Sequence, residues 1–406
     1  MRLAILGGGG FRVPLIYRAL LGDPVIGDVV LHDRDPGRLA AIRRVLAAQA
    51  ERAPAAPAVT ATTDLDEALA GADFVFSAIR VHGLAGRVLD ERIAIAEGVL
   101  GQETVGAGGI SYGLRTVPVV TALARRIAAI APQAWVVNFT NPAGLVTEAM
   151  AGHLGERVIG ICDSPAGLCR EVAHALGADP DTLDFDYAGL NHLGWLRHVY
   201  RDGTDLLRGE PVPNEYLHYY EHPSVPTGPT RGEFLQQQQQ ELYRLLLDEA
   251  RDPLSTWDGV RAERDATYMA EARDGERDQT VAGGYEDVAL ALMRALAGRG
   301  EARLILNVRN RGTLPHLDPD AVVEVPCRVD SGGAHPLPVS PLDPGAAALT
   351  AAVKASEREV LRAAATGSAD AALRAFAAHP LVGSPAIARR LLDGYRRAFP
   401  ELEYLH

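Results

Sequence analysis

Leu3-Ala-Ile-Leu6-Gly7-Gly8-Gly9-Gly10, at the start of the chain, decides the fold. A short apolar run ends in four glycines, and a helical pattern follows through Leu15, Ile16, Ala19 and Leu20. Strand, glycine turn and helix in that order let backbone amides approach a pyrophosphate, with the helix dipole adding to the field. Val29–Leu31 is a second apolar run, closed by His32-Asp33-Arg34-Asp35 and followed by an amphipathic helix to about Arg52. Asp33 lies where a ribose-binding acid belongs, which favours NAD over NADP. The third position of the glycine fingerprint is Arg12, so the dinucleotide motif is partial. Its plainer reading is a glycine-rich turn in a ligand-free α/β domain.

Further strands are predicted at Phe74–Ser77, Trp135–Asn138 and Val158–Ile161, separated by helix-length segments such as Leu114–Ile130. Strands alternating with helices imply a parallel sheet covered on both faces. Beyond about residue 180 the rhythm breaks. Phe185–Tyr187 and Trp195–Tyr200 read as antiparallel strands, residues 203–230 as loop, and 232–250, 285–297 and 344–366 as long helices. The fold class is therefore α/β, with a Rossmann-like doubly wound parallel sheet over residues 1–180. A mixed α+β domain occupies 181–406. The run Gln236–Gln240 sits inside helical periodicity and reads as a solvated helix face.

Composition excludes several chemistries. The 406 residues carry 40 basic and 52 acidic side chains, a net charge of −12, and Lys354 is the only lysine. A Walker P-loop needs a lysine after its glycines, so none exists, and only one residue could form a Schiff base. Any anion gripped by a side-chain cation is gripped by arginine, the better fork for phosphate or carboxylate. The acidic balance and the lack of a basic stripe argue against nucleic-acid binding. No run of about 18 apolar residues is present, which argues against a membrane span, and residues 1–6 do not resemble a signal peptide. Three cysteines cannot build a disulfide framework, so a cytoplasmic location is expected.

Four short segments hold the candidate chemistry. Asn138-Phe-Thr-Asn141-Pro142 follows a strand at the carboxyl edge of the sheet, where open α/β sheets bind ligands. For Asn141, capping of the next helix is the structural alternative. Gly109-Ile-Ser111-Tyr-Gly113 matches a nucleophile elbow but lacks the strand that such an elbow requires. Cys162-Asp163-Ser-Pro165 places a thiol at a helix N-terminus, where its pKa is lowered, and Gly189-Leu-Asn191-His192 places an imidazole before a strand. Together Cys162 and His192 can hold one divalent metal, with substrate oxygens completing its shell. Taken singly, each reads more simply as a buried structural residue. Cys169 and Cys327 read as core.

These motifs carry a resemblance over nearly the whole chain. With Gly7–Gly10 they include Arg80-Val-His-Gly-Leu-Ala-Gly-Arg87-Val-Leu-Asp90-Glu91, Gly101-Gln-Glu-Thr104 and Pro213-Asn-Glu-Tyr216-Leu-His-Tyr-Tyr220. In this order the set resembles glycoside hydrolase family 4, the NAD- and divalent-metal-dependent glycosidases that include 6-phospho-β- and 6-phospho-α-glucosidases. The resemblance implies that Cys162 and His192 bind the metal, usually Mn²⁺. It makes Tyr216 the base and Asp163 the proton donor. Arg87, Asn141 and Arg231 become substrate contacts, and NAD sits on Gly7–Gly10 and Asp33. Without it, Tyr216 is an amphipathic-helix residue and Arg87 and Arg231 are two solvated cations among some forty.

The family mechanism implied by the resemblance begins with hydride transfer from sugar C3 to NAD⁺, which acidifies the C2 proton. A metal on the C2 and C3 oxygens then acts as a Lewis acid, the aglycone leaves, water adds and the hydride returns. It is the NAD-dependent exception to two-carboxylate glycosidases. A 6-phospho-β-glucosidase is the first expectation. A 6-phospho-α-glucosidase, an unphosphorylated-glycoside member and, in another class, an NAD-dependent 2-hydroxy-acid dehydrogenase are the alternatives. A small-molecule glycoside substrate and a homodimer or homotetramer are the expected partners.

Overall fold

The structure is a computed structural model that describes residues 1–207, 209–225, 227–267 and 284–406. Six strands form its parallel half: β1 (Arg2–Leu6), β2 (Asp28–His32), β3 (Ala58–Thr62), β4 (Phe74–Ser77), β5 (Trp135–Asn138) and β6 (Val158–Gly160). They lie in the order β6-β5-β4-β1-β2-β3 and every neighbouring pair is parallel. This is the doubly wound dinucleotide-binding order. Leu3 to Leu6 have no exposed surface, as strands covered by helices on both faces require. Burial of each leucine or isoleucine among them contributes roughly 2 kcal/mol.

The sheet does not stop at β6. It continues through β7 (Asp184–Leu190), β8 (Leu193–Arg201), β9 (Thr204–Asp205), β10 (Val212–Pro213), β11 (Ala302–Arg309), β12 (Val322–Asp330) and β13 (Gly333–Pro336). β11 packs antiparallel on β6 through Asn307 opposite Gly160, and β12 joins β7 through Glu324 opposite Gly189. Thirteen described strands thus form one sheet that crosses residue 180 without a break.

The antiparallel strands near 185 and 195 are present, as are helices Arg231–Leu246, Tyr285–Leu296 and Pro344–Thr366. The strands at 58–62, 302–309 and 322–330 were not apparent from the sequence pattern. The helix expected from Leu114 starts at Gly106 and absorbs the glycine-rich stretch. Ser111 of the elbow-like motif lies inside that helix, fully buried, and accepts from Arg115 Nη1 at 2.8 Å. It is no nucleophile elbow. Cys169 and Cys327 are core residues. Lys354 is also buried, paired with Glu148 at 3.1 Å and with Glu357. Among the described residues no helix is long and apolar enough to cross a membrane.

Candidate active site

A cavity of about 1630 Å³ opens at the carboxyl ends of β1, β4 and β6. Gly7, Gly10, Asp33, Arg87, Asn141, Cys162, Asp163, His192, Tyr216 and Arg231 all line it. The fold therefore gathers residues from both halves of the chain into one space.

The glycine turn is shaped by close approach. Gly7 has φ +85°, and a Cβ there would lie 2.5 Å from the Ala78 carbonyl oxygen; one on Gly8 would lie 2.7 Å from Leu31 Cβ. All four glycine amides already donate within the protein. Those of Gly7 and Gly8 go to His32 O (2.9 and 2.7 Å), that of Gly9 to Asp33 Oδ2 (3.0 Å) and that of Gly10 to Gly7 O (2.9 Å). These amides are engaged within the protein, and the glycines clear space at the turn. Asp33 is held by the Gly9 and Asp35 amides and still faces the cavity.

At the other end of the parallel half, β6 delivers Cys162 and the two-residue turn between β7 and β8 delivers His192. His192 adopts φ 62°, a left-handed conformation that costs a non-glycine residue about 1 kcal/mol. The strain aims its ring at Cys162, with Sγ and Nε2 3.5 Å apart. Its Nδ1 lies 3.0 Å from Thr104 Oγ1, whose hydroxyl proton goes to Gln102 Oε1 at 3.0 Å. Thr104 therefore accepts from Nδ1–H, which leaves the Nε2 lone pair facing the thiol. Burial lowers the His192 pKa to about 4, so the ring is a neutral donor near pH 7.

Burial, with Glu324 and Asp163 nearby, pushes the Cys162 thiol well above its ordinary value, which corrects the lowering expected at a helix N-terminus. A thiol in this setting loses its proton to a cation rather than to solvent. The separation of 3.5 Å suits two donors on one divalent ion, given bonds of about 2.0–2.3 Å. Among the described residues no group of three His, Cys, Asp or Glu could hold a metal.

Tyr216 is fixed by Asn214, whose Oδ1 accepts from the Tyr216 amide at 3.1 Å and from Ser164 Oγ at 3.1 Å. Asn214 Nδ2 in turn donates to Tyr187 OH (3.3 Å), and Tyr187 donates to Glu324 Oε2 at 3.0 Å. Glu324 has no exposed surface and also accepts from Asn191 and Asn307, at 3.2 and 2.9 Å. Burial pushes its carboxyl up to about 7 against those donors. One hydrogen-bonded cluster thus links the segments that carry Cys162, His192 and Tyr216.

Arg87 is buried between Glu91 (2.7 Å) and Glu103 (3.0 Å), and Glu103 also meets Arg80 at 2.6 Å. Burial alone would raise the Glu103 carboxyl, but the two arginines outweigh it and hold the group at about 2. Arg231 opens its helix behind a Thr230–Glu233 capping box. It donates to Thr267 Oγ1 (2.6 Å) and to Arg264 O (3.1 Å). Neither arginine is the isolated solvated cation of the plainer reading. Asn141 does not cap the following helix, whose cap position is Pro142.

The family 4 glycosyl hydrolase model matches residues 3–178, and the family's C-terminal domain model matches residues 208–382. The chain belongs to glycosyl hydrolase family 4. A probable 6-phospho-beta-glucosidase of Bacillus subtilis is 30% identical over 97% of this chain and 95% of that protein. A 6-phospho-beta-glucosidase from Thermotoga maritima, solved with NAD and glucose-6-phosphate, superposes with a TM-score of 0.83 and 27% identity over 98% of each chain. A 6-phospho-alpha-glucosidase from gut microorganisms, in complex with NAD and Mn²⁺, gives 0.84 at 26% identity, covering 99% of this chain and 98% of that one. A malate dehydrogenase from Plasmodium falciparum, 14% identical with a TM-score of 0.56 over 90% of this chain and 98% of that one, shares the fold alone. The dehydrogenase alternative is not favoured.

Several residues of this family 4 site were not assigned from sequence. Thr104 and Glu103 lay in a quoted segment without a role. Glu324 and Arg264 had no motif to mark them. Gln238 and Gln239 correct the solvated-face reading of the glutamine run: Gln238 Oε1 accepts from Arg264 Nε at 2.6 Å, and Gln239 lines the cavity. Gln237 and Gln240 do face solvent.

Proposed function

We propose that this chain hydrolyses 6-phosphoglucosides, 6-phospho-β-glucosides first, with NAD⁺ and a divalent cation, Mn²⁺ foremost, as cofactors. The observation that carries the reading is the meeting of Cys162, His192, Asp163 and Tyr216 in one cavity with the glycine turn and two arginines. Relatives and structural neighbours named 6-phospho-glucosidases, with NAD, Mn²⁺ or glucose-6-phosphate bound, support it.

When bound, NAD⁺ supplies a hydride acceptor for sugar C3, and the cation supplies Lewis acidity at the sugar oxygens. Cys162 Sγ and His192 Nε2 hold the cation. The Tyr216 oxygen, as the phenolate, takes the proton from C2 and later returns one to that carbon. Asp163 hands a proton to the glycosidic oxygen as the aglycone departs. Arg87, Asn141 and Arg231 orient the phosphoglycone. Gly7–Gly10 make room for the cofactor, and Asp33 receives its ribose. We assign the cofactor to residues 1–180; the substrate and metal contacts come from both halves, Arg87, Asn141, Cys162 and Asp163 from 1–180 and His192, Tyr216 and Arg231 from 181–406. Three free cysteines fit a cytoplasmic enzyme, and a homodimer or homotetramer is the expected assembly.

The test is hydrolysis of α- and β-aryl 6-phosphoglucosides with NAD⁺, Mn²⁺ and reductant in D₂O. Aglycone release with deuterium at C2 and no net NADH is the expected result. Net NADH without aglycone release would overturn the reading.

A further inference from the structure

We propose that Gly167 opens the cavity for the leaving aglycone, and that the room beside it admits an uncharged, largely apolar group of at least an aromatic ring's size. This deepens the glycosidase reading and rests on its assignment of Asp163 as the proton donor. Gly167 lies in helix Ser164–Ala175, one turn after Asp163, and its amide donates to the Asp163 carbonyl at 2.8 Å. Residues four apart share a helix face, and both of these line the cavity. An acid that hands its proton to the glycosidic oxygen stands beside the departing group, so the aglycone lies against this face.

Nothing within the protein calls for a glycine here. A Cβ on Gly7 or Gly8 would strike a neighbour, whereas one on Gly167 would meet no atom within 4 Å. Its φ is not positive either, so the backbone conformation suits any residue. Glycine inside a helix is less stable than alanine would be. Gly152 and Gly259 are also helical with open space at the Cβ position, but both are exposed and neither borders the cavity. Gly167 is half-buried, and the space that it leaves belongs to the cavity. Cβ bonds in a helix tilt toward its N-terminus. Any side chain at 167 would therefore lean toward Asp163 and fill the room that the aglycone needs.

The walls define what fits. Leu168 and Val212 line the cavity and pack on the apolar cluster of Cys169, Leu183, Tyr187, Leu196 and Val199. Pro213 continues that wall on β10. Glu171, one turn beyond Gly167 on the same face, adds an exposed carboxylate at the rim. Apolar surface gains by covering an apolar group, and the rim carboxylate with Asp163 repels an anionic one.

The experiment compares the full-length wild type with Gly167→Ala and Gly167→Leu on methyl and 2-naphthyl 6-phosphoglucosides of both anomers. Specificity is the naphthyl-to-methyl ratio of kcat/KM with NAD⁺, Mn²⁺ and reductant. The corresponding affinity ratio is read by calorimetry with NADH in place of NAD⁺, which blocks turnover. Gly167→Leu should lower both ratios by about tenfold or more, and Gly167→Ala by about threefold. Gly167→Ala should also raise Tm, because the helix gains and nothing is displaced. Ratios within about twofold of wild type in Gly167→Leu would overturn the proposal. A lower Tm in Gly167→Ala would do the same, since the fold itself would then need the glycine. Should Gly167→Leu fail to fold, Gly167→Ala decides by its ratios and its Tm. The class of aglycone has its own arm: a 4-carboxyphenyl 6-phosphoglucoside should bind the wild type about tenfold more weakly than the phenyl compound. Equal affinities would overturn the uncharged assignment. Because the affinity ratio needs no catalysis, absence of hydrolysis by the wild type would overturn the function and leave the role of Gly167 to be judged by binding.

Discussion

The His192 imidazole lies flat against the Tyr216 ring, with centroids 3.6 Å apart and an interplanar angle of 0°. The proposed base and the proposed metal ligand thus share a face, and each limits where the other can go. Tyr216→Phe keeps that face and removes only the phenol oxygen. We expect its Mn²⁺ affinity within about twofold of wild type by calorimetry, with turnover and C2 deuterium exchange reduced by about 10²-fold or more. Tyr216→Ala, which uncovers the imidazole, should lose roughly tenfold in Mn²⁺ affinity as well. Normal exchange in Tyr216→Phe would remove Tyr216 as the base.

Thr104 fixes the tautomer of His192 by accepting from Nδ1–H. Thr104→Val keeps the shape and deletes the acceptor, leaving a buried N–H unpaired. Losing such a supporting partner costs about 10–100-fold in metal affinity. Mn²⁺ titration of Thr104→Val should show a loss in that range with little change in NAD⁺ affinity. Unchanged Mn²⁺ binding would mean that the Nδ1 contact does not orient the ring.

Gly160 sits two residues before Cys162, where β6 meets β11. A Cβ there would press into Thr147 Oγ1 and lie 2.8 Å from Asn307 Cβ. Overpacking of this kind costs about 1–3 kcal/mol. Gly160→Ala should therefore lower Tm and, by displacing the thiol, weaken Mn²⁺ binding. A variant with wild-type Tm would show that the strand pair yields without cost.

His379 provides the pH dependence. It is buried, its Nδ1 accepts from the Leu381 amide at 3.2 Å, and burial lowers its pKa to about 4. The unfolded chain takes up this proton near pH 6.5, whereas the folded chain resists it until about pH 4. Stability is thus lost as pH falls from about 6.5 to about 4, by roughly 3 kcal/mol from this group alone. His379→Asn retains an acceptor for the same amide and has nothing to titrate. Its Tm should fall less steeply than that of the wild type between pH 7 and 4.5. Parallel curves would refute the assignment.

What could be read in the sequence was local. The strand ends at Ser77 and Asn138 fall where the apolar runs stop, and the motifs around Cys162, His192 and Tyr216 each span a few residues. Those segments converge because the parallel half brings its carboxyl ends together. Glu324 and Asn307 lie on strands that pair with β6 and β7 from well over a hundred residues away, and no local pattern records such a pairing. Arg264 is one of two arginines on its helix, and only its place over Phe11 sets it apart. The glutamine run misled for the same reason: periodicity gives a helix, but not which of its polar residues has a cation beside it.

The single sheet has a consequence for the order of synthesis. Residues 1–160 contain the whole parallel half, yet the outer edge of β6 stays open until Asn307 arrives, 147 residues later. At about 5–20 residues per second that interval is roughly 7–30 s. During it the nascent chain presents an unpaired edge next to the thiol of Cys162, and the β7–β8 pair has no strand linking it to the parallel half. The last large insertion into the sheet, β11 with β12, closes that edge and seats Glu324 behind the site in one event. Ribosome-bound chains ending before residue 302 should therefore bind chaperones and lack Mn²⁺ affinity, while chains extended past 330 should lose the first property and gain the second.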